Sequence, residues 1–200
     1  MATCPRRISY SYMMNFALFK TAIGCCGIVW SEHGIAGVQL PERGEAATRN
    51  RLLRRFPAAR EGAPPAEVRR AIDDIVALLG GEHRDLNHVR IDIGAAPEFH
   101  RRVYEVARRI PAGATLSYGE VAERLGDRNL ARDVAEALSQ NPCPIIVPCH
   151  RILAAGGKPG GFSAPGGVAT KLRLLTIEGA QPEGPMLFDR LPLAAARLRR

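Results

Sequence analysis

Cys149 and His150 stand side by side in PIIVPCHRIL, residues 144 to 153. The pair joins the most nucleophilic side chain to the base that titrates nearest neutral pH. A thiolate attacks carbon and a thiol hardly does, so the two together suggest nucleophilic chemistry at the cysteine. Neighbouring side chains of an extended segment point to opposite faces. Either the adjacency is incidental, or something bridges the two. Glu178, at the end of the next helical segment, is the candidate to accept the ring N–H of His150, fixing its tautomer and raising its basicity.

Several elements must position these groups. Pro144 to Val147 predicts a short buried strand that Pro148 stops, delivering Cys149 at a strand end. Upstream, Ser117-Tyr118-Gly119-Glu120 has the form of a capping box, which predicts a helix from Tyr118 to about Leu125 with Gly126 as its C-terminal cap. A turn from Gly126 to Asn129 leads into a second helix from Leu130 to about Ser139, and Asn141-Pro142 closes it, giving a helix-turn-helix pattern. Leu130, Val134, Ala137 and Leu138 form its buried stripe, while Ala131, Arg132, Ala135 and Glu136 face elsewhere. Small residues around one arginine suit close approach to a narrow DNA groove, and the same pattern also describes an amphipathic helix with a solvated arginine. After the cysteine, GGKPGGFSAPGG (156–167) holds six glycines and two prolines around Phe162 and Ser163 and could fold over a ligand. Thr170 to Ile177 then predicts a helix, with Leu172, Leu175 and Ile177 apolar.

The first half reads as a small α/β unit without a reaction centre. FALFKTAIGCCGIVW (16–30) and GIAGVQL (34–40) predict paired strands, and 57–66 a proline-rich loop. A helix over 67–79 follows, and RIDIG (90–94) predicts another strand. Phe99, Val103, Val106 and Ile110 recur at helical spacing until Pro111-Ala112-Gly113 stops them.

Of the 200 residues, 46% are hydrophobic, enough for a core. The 28 Lys plus Arg exceed the 20 Asp plus Glu by eight, and all but Lys20, Lys158 and Lys171 are arginine. Such an excess favours an anionic partner, most often nucleic acid. Five cysteines without regular spacing point to a reducing cytosol. Arg6 and Arg7 before an apolar stretch loosely imitate a signal peptide, but Lys20 interrupts it, so we expect no export signal and no membrane span. Cys4, Cys25, Cys26, His33, His83 and His88 follow no finger-like spacing, so no metal is expected.

NPCPIIVPCHRIL, with SYGEVA before it and GGFSAPGGVATKLRLLTIEG after it, resembles the active-site region of the O6-alkylguanine-DNA alkyltransferases, the methylated-DNA–protein-cysteine methyltransferases. The likeness runs from about Pro97 to Ala180, and TAIGCCGIVW with GVQLPE resembles the bacterial members' N-terminal domain. The resemblance implies that Cys149 accepts the alkyl group, that His150 deprotonates it through a bound water with Glu178 behind the imidazole, and that Asn141 is the hinge asparagine. It implies that Tyr118 helps rotate the nucleotide and donates to the guanine ring, that Ser163 contacts O6, and that Arg132 fills the space of a flipped base. Ala131, Ala135 and Arg151 join this expected DNA-binding set. Asp133 and Glu136 stand where the family's recognition stretch commonly has small residues, and Phe162 where many members have tyrosine.

The expected architecture is α/β: a small ribonuclease-H-like N-terminal domain (1–94), a mainly helical C-terminal domain with a winged helix-turn-helix-like motif (95–181), and a basic tail (182–200) carrying Arg190, Arg197, Arg199 and Arg200. The expected function is repair of double-stranded DNA containing O6-alkylguanine by a cytoplasmic, cofactor-free monomer that transfers the alkyl group to its own Cys149. Two alternatives stand beside it. A non-catalytic module that binds alkylated DNA and recruits other proteins would need no acceptor cysteine, and a Cys-His-Glu hydrolase would turn over many times.

Overall fold

The computed structural model describes residues 13–180. In it, alternating small and apolar residues build a meander of β1 (Asn15–Thr21), β2 (Gly24–Ser31) and β3 (Gly34–Gln39), all antiparallel. After α1 (Glu45–Arg55), the two-residue β4 (Arg60–Glu61) pairs parallel to β1, so the sheet order is β3-β2-β1-β4. β2 is buried on both faces because each has its own cover. Val29 faces Leu52 and Phe56 of the α1 segment, whereas Ile28 and Trp30 face Val68, Ala71, Ile75 and Leu78 of α2 (Ala66–Leu79). Glycine permits the close approach of α1: a Cβ on Gly37 would lie 2.4 Å from the Phe56 ring and one on Gly27 2.5 Å from Leu52.

The second face of the sheet belongs to a core that continues into the helices after residue 97. α3 (Glu98–Arg108) contributes Val103, Tyr104 and Ala107, α4 (Tyr118–Arg124) contributes Val121 and Ala122, and α5 (Ala131–Ser139) contributes Val134, Ala137 and Leu138. The expected α4–α5 helix-turn-helix is present, with the 3-10 turn Arg128–Leu130 between its helices. Buried Tyr104 ties α3 to α5 by donating to Ala137 O (2.9 Å). Before α4, β5 (Leu116–Ser117) pairs parallel with β6 (Ile152–Leu153), which follows the Cys-His-Arg segment directly. α6 (Gly167–Ile177) closes the described chain.

Four expectations change. Residues 90–94 form no strand, only a single bridge from Ile35 to Ile91. The chain gives β3 two hydrogen bonds there, Ile35 N to Arg90 O and Asp92 N to Ile35 O, before it turns toward Pro97 and α3. Pro144 to Val147 is a tight turn, in which Val147 N donates to Cys143 O (2.8 Å) and Ile145 takes a φ of 76°. Three prolines, Pro142, Pro144 and Pro148, remove the donors a ladder needs. α6 starts at Gly167 rather than Thr170, and its buried face is Lys171, Leu174 and Leu175. α1 was not anticipated, since EAATRNRLLRR buries only Thr48 and Leu52 and carries almost no apolar stripe. Arg6, Arg7, Cys4 and the arginines of the tail lie outside the described residues.

The capping box at the start of α4 is complete: Ser117 Oγ accepts from Glu120 N (3.2 Å) and Glu120 Oε2 accepts from Ser117 N (2.6 Å). Ser117→Ala should therefore lower stability by about 1 kcal/mol in urea unfolding, with Ser117→Asp retaining most of it.

Candidate active site

The turn at 141–148 is held by one side chain. Asn141 Oδ1 accepts from Cys143 N (2.9 Å), and its Nδ2 donates to Val147 O (2.8 Å) and to Cys149 Sγ (3.4 Å). The amide thus does for the turn what a ladder would have done, and it points one donor at the thiol. The main chain then enters a 3-10 helix, Cys149–Arg151, with Cys149 N bonded to Val147 O (2.8 Å). Three residues per turn send consecutive side chains in separate directions.

Cys149 turns inward and is 9% exposed. Burial pushes its thiol pKa up, against the Asn141 hydrogen bond and the positive charge of Lys171, so the resting group is the thiol. His150 is fully buried, and its Nε2 lies 3.0 Å from Glu178 Oε1. Arg151 Nε donates to Glu178 Oε2 and its Nη2 to Oε1, both at 2.8 Å, while Nη1 donates to Ile110 O. Burial alone would raise the Glu178 pKa, but the hydrogen bonds and charges of His150 and Arg151 outweigh it and bring the carboxyl down to about 2. An ionised carboxylate has only acceptors, so His150 Nε2 carries the proton and Nδ1 carries the lone pair. Burial, with smaller repulsions from Arg151 and Lys171, lowers the His150 pKa against the pull of Glu178, which keeps the ring neutral. Nδ1 has no hydrogen-bond partner among the described residues. The arrangement supplies a buried thiol, a neutral imidazole with its basic nitrogen free, and a permanent anion behind it.

The other expected residues surround this relay. Tyr118 opens α4 partly buried, and burial together with Cys149 raises its pKa, so it remains a hydrogen-bond donor at neutral pH. The glycine loop reaches it, since a Cβ on Gly160 would lie 3.4 Å from the Tyr118 ring. Exposed Ser163 donates to Ser139 O (3.1 Å), docking the loop on the end of α5. Arg132, Asp133 and Glu136 are exposed on α5, with Ala131 and Ala135 half-buried beside them. Arg151 is corrected: it is 5% exposed and committed to Glu178 and Ile110, so it does not face outward to meet a ligand. Lys171, which sequence reasoning missed, lies buried beside the relay. Its place three and four residues before the buried Leu174 and Leu175 was the available signal: a cation on the apolar stripe of a helix. Among the described residues no group of three or more His, Cys, Asp or Glu is placed to hold a metal ion, and no helix is long and apolar enough to cross a membrane.

The fold and site define a helix-turn-helix protein with an activatable cysteine beneath the motif. Residues 98–180 match the family model for the DNA-binding domain of 6-O-methylguanine DNA methyltransferase. The methylated-DNA–protein-cysteine methyltransferase of Methanothermobacter thermautotrophicus is 36% identical over 158 residues, covering 79% of this chain and 81% of that one. The Mycobacterium tuberculosis protein of that name is 35% identical over 159 residues, covering 78% and 94%. A crystal structure of Mycobacterium tuberculosis OGT in complex with DNA has a TM-score of 0.67 at 28% identity, covering 82% of this chain and 92% of that one. The chain belongs to the methylated-DNA–protein-cysteine methyltransferase family.

The depressed Glu178 pKa implies an acid limb in stability. A carboxyl held below its ordinary 4.5 stabilises the fold above that pH, and the contribution is lost as pH falls through about 2. Glu178→Gln should flatten the loss between those limits. It should also cost about 3–5 kcal/mol at neutral pH, because Arg151 is left buried without its partner. Urea unfolding at a series of pH values checks both.

Proposed function

We propose that this protein repairs duplex DNA by extruding an O6-alkylated guanine and taking the alkyl group irreversibly onto Cys149. The observation that carries the reading is the buried His150–Glu178 hydrogen bond next along the chain to Cys149, whose sulfur accepts from Asn141, in a helix-turn-helix chain of this family. His150 Nδ1 takes the thiol proton through a bridging water. The sulfur then forms a bond to the alkyl carbon as the carbon–O6 bond breaks, and the electron pair stays on the guanine. An in-line displacement of this kind has no carbonyl to polarise, so thiolate formation and stabilisation of the departing purine are what the protein must supply. Tyr118, protonated at neutral pH, donates to the purine ring, and Ser163 exchanges Ser139 O for O6.

The product is a thioether. Water has no electrophilic carbonyl to attack in it, so each molecule acts once, unlike a hydrolase of the same residues. Arg132 enters the groove in place of the extruded base, with Ala131 and Ala135 allowing the backbone close. Asp133 and Glu136, exposed on the same helix, weaken the approach to phosphates. Asn141 acts as the hinge between recognition helix and acceptor turn. We propose the division into an N-terminal α/β unit through residue 94 and a DNA-binding unit after it, acting as a monomer. Its compartment is the cytoplasm, in keeping with four described cysteines that are free thiols. A non-catalytic binding module has no use for the relay.

Intact-mass measurement after incubation with methylated duplex DNA should show one methyl gained, on the peptide containing Cys149, with no further turnover. Cys149→Ala should abolish transfer while DNA affinity changes less than about threefold, a difference within the spread of surface substitutions. Labelled methyl arriving on the alanine variant would sink the assignment.

A further inference from the structure

Arg55 ends α1 and stands exposed, yet its guanidinium reaches a carbonyl 87 residues away along the chain. Nη2 donates to Pro142 O (3.1 Å), while Nη1 donates to Val38 O (3.1 Å) and to Gln39 Oε1 (3.3 Å). Pro142 O accepts from Val38 N as well (2.9 Å). A neighbouring strand would offer Val38 both an acceptor and a donor, and here the chain offers only the carbonyl. Arg55 supplies the missing donor and closes a ring around one peptide group, using a planar fork that a lysine ammonium does not reproduce.

The far end of that peptide group is the Cys143 N–H, which donates to Asn141 Oδ1 (2.9 Å). A peptide is planar, so fixing its oxygen fixes its N–H. With Oδ1 committed to Cys143, Asn141 Nδ2 is left to donate to Val147 O (2.8 Å) and to Cys149 Sγ (3.4 Å). We propose that Arg55 is a positioning residue for alkyl transfer, acting through the Pro142–Cys143 peptide to hold the Asn141 amide with its donor on the Cys149 sulfur. The role rests on Cys149 being the acceptor. Hydrogen bonds in series polarise one another, so a cation on the carbonyl strengthens the N–H at the other end. A hydrogen bond to a charged group favours the charged form, so the Asn141 contact strengthens as the thiol becomes the attacking thiolate. It weakens again once the sulfur is a neutral thioether, and such differential stabilisation is the kind that raises a rate.

A staple between α1 and β3 would be complete with Val38 O and Gln39 Oε1. The bond to Pro142 O adds nothing to that staple, and it is the one that reaches the acceptor turn. The ionisable groups bearing on Cys149 are His150 beside it, Lys171 on α6, Tyr118 on α4 and Tyr104 on α3. All of them are retained in an Arg55 variant, so a change in the reactivity of the sulfur reports the chain of contacts that starts at Arg55.

Chemical alkylation of Cys149 by iodoacetamide, read as peptide mass between about pH 5 and 10, tests this without DNA. Arg55→Met should move the reactivity midpoint upward by about half a pH unit, roughly a threefold loss of thiolate below the midpoint. In an Asn141→Ala background the same substitution should move it by less than about 0.1 unit, because two changes on one chain of contacts do not add. A Met profile coincident with the parent would overturn the proposal. So would an equal shift in the Asn141→Ala background, which would mark an effect of charge or packing that bypasses the amide. Arg55→Lys covers a Met variant that does not fold: charge without the fork should raise the midpoint in the same direction, and a lysine profile matching the parent would overturn the bridging. With saturating methylated duplex DNA, single-turnover transfer by Arg55→Met should slow about threefold while DNA affinity is unchanged, and an unchanged rate would equally overturn the role. Failure of the parent protein to take methyl from DNA would instead remove the function proposed above and leave the linkage from Arg55 to the thiol standing.

Discussion

A single buried carboxylate organises the C-terminal half of this molecule. Glu178 terminates α6, and in an apolar interior its charge is tolerable only because Arg151 meets both oxygens and His150 meets one. Those contacts dictate where the end of α6 lies against the 3-10 turn, and Arg151 passes the constraint on to the end of α3 through Ile110 O. The same contacts settle the histidine's tautomer. Structure and reactivity therefore have one cause: the group that makes His150 a base is the group that locks three elements together.

The N-terminal layer extends this arrangement rather than standing apart from it. Pro142 O, next to the bracketing Asn141, accepts from Val38 N (2.9 Å) and from Arg55 Nη2 (3.1 Å), so β3 and α1 both grip the turn that leads to the acceptor. Cys143 Sγ reaches Ile35 O across the same boundary (3.6 Å). The sheet supplies the fixed edge on which a donor-poor, proline-rich turn can rest.

The sequence was legible where local chemistry decides structure. Ser117 and Glu120 announced their helix because a capping box is a contact between near neighbours, and the stripe through Val134, Ala137 and Leu138 announced α5 because amphipathic spacing survives in any globular context. Cys149, His150 and Glu178 were legible as residue types, although the contact of His150 with Glu178 depends on the 27 intervening residues folding back. Arg151 was misplaced because an arginine in a basic chain reads as a surface cation, and only the fold shows the carboxylate that draws it inside. The 144–147 segment was misread because apolar residues between prolines satisfy a strand pattern while lacking the donors for a ladder. Lys171 was missed for a related reason: its partners are a carbonyl and a ring, neither of which leaves a charge pattern in the chain.

Four consecutive residues, Pro148 to Arg151, carry four separate tasks: ending the turn, presenting sulfur, presenting imidazole and clamping the carboxylate. The 3-10 geometry assigns those tasks by position alone, because each step along the chain rotates the side chain by about a third of a turn. Exchanging one residue removes one task, whereas inserting or deleting one reassigns all those that follow. The segment is therefore far more sensitive to a change in length than to a change in identity.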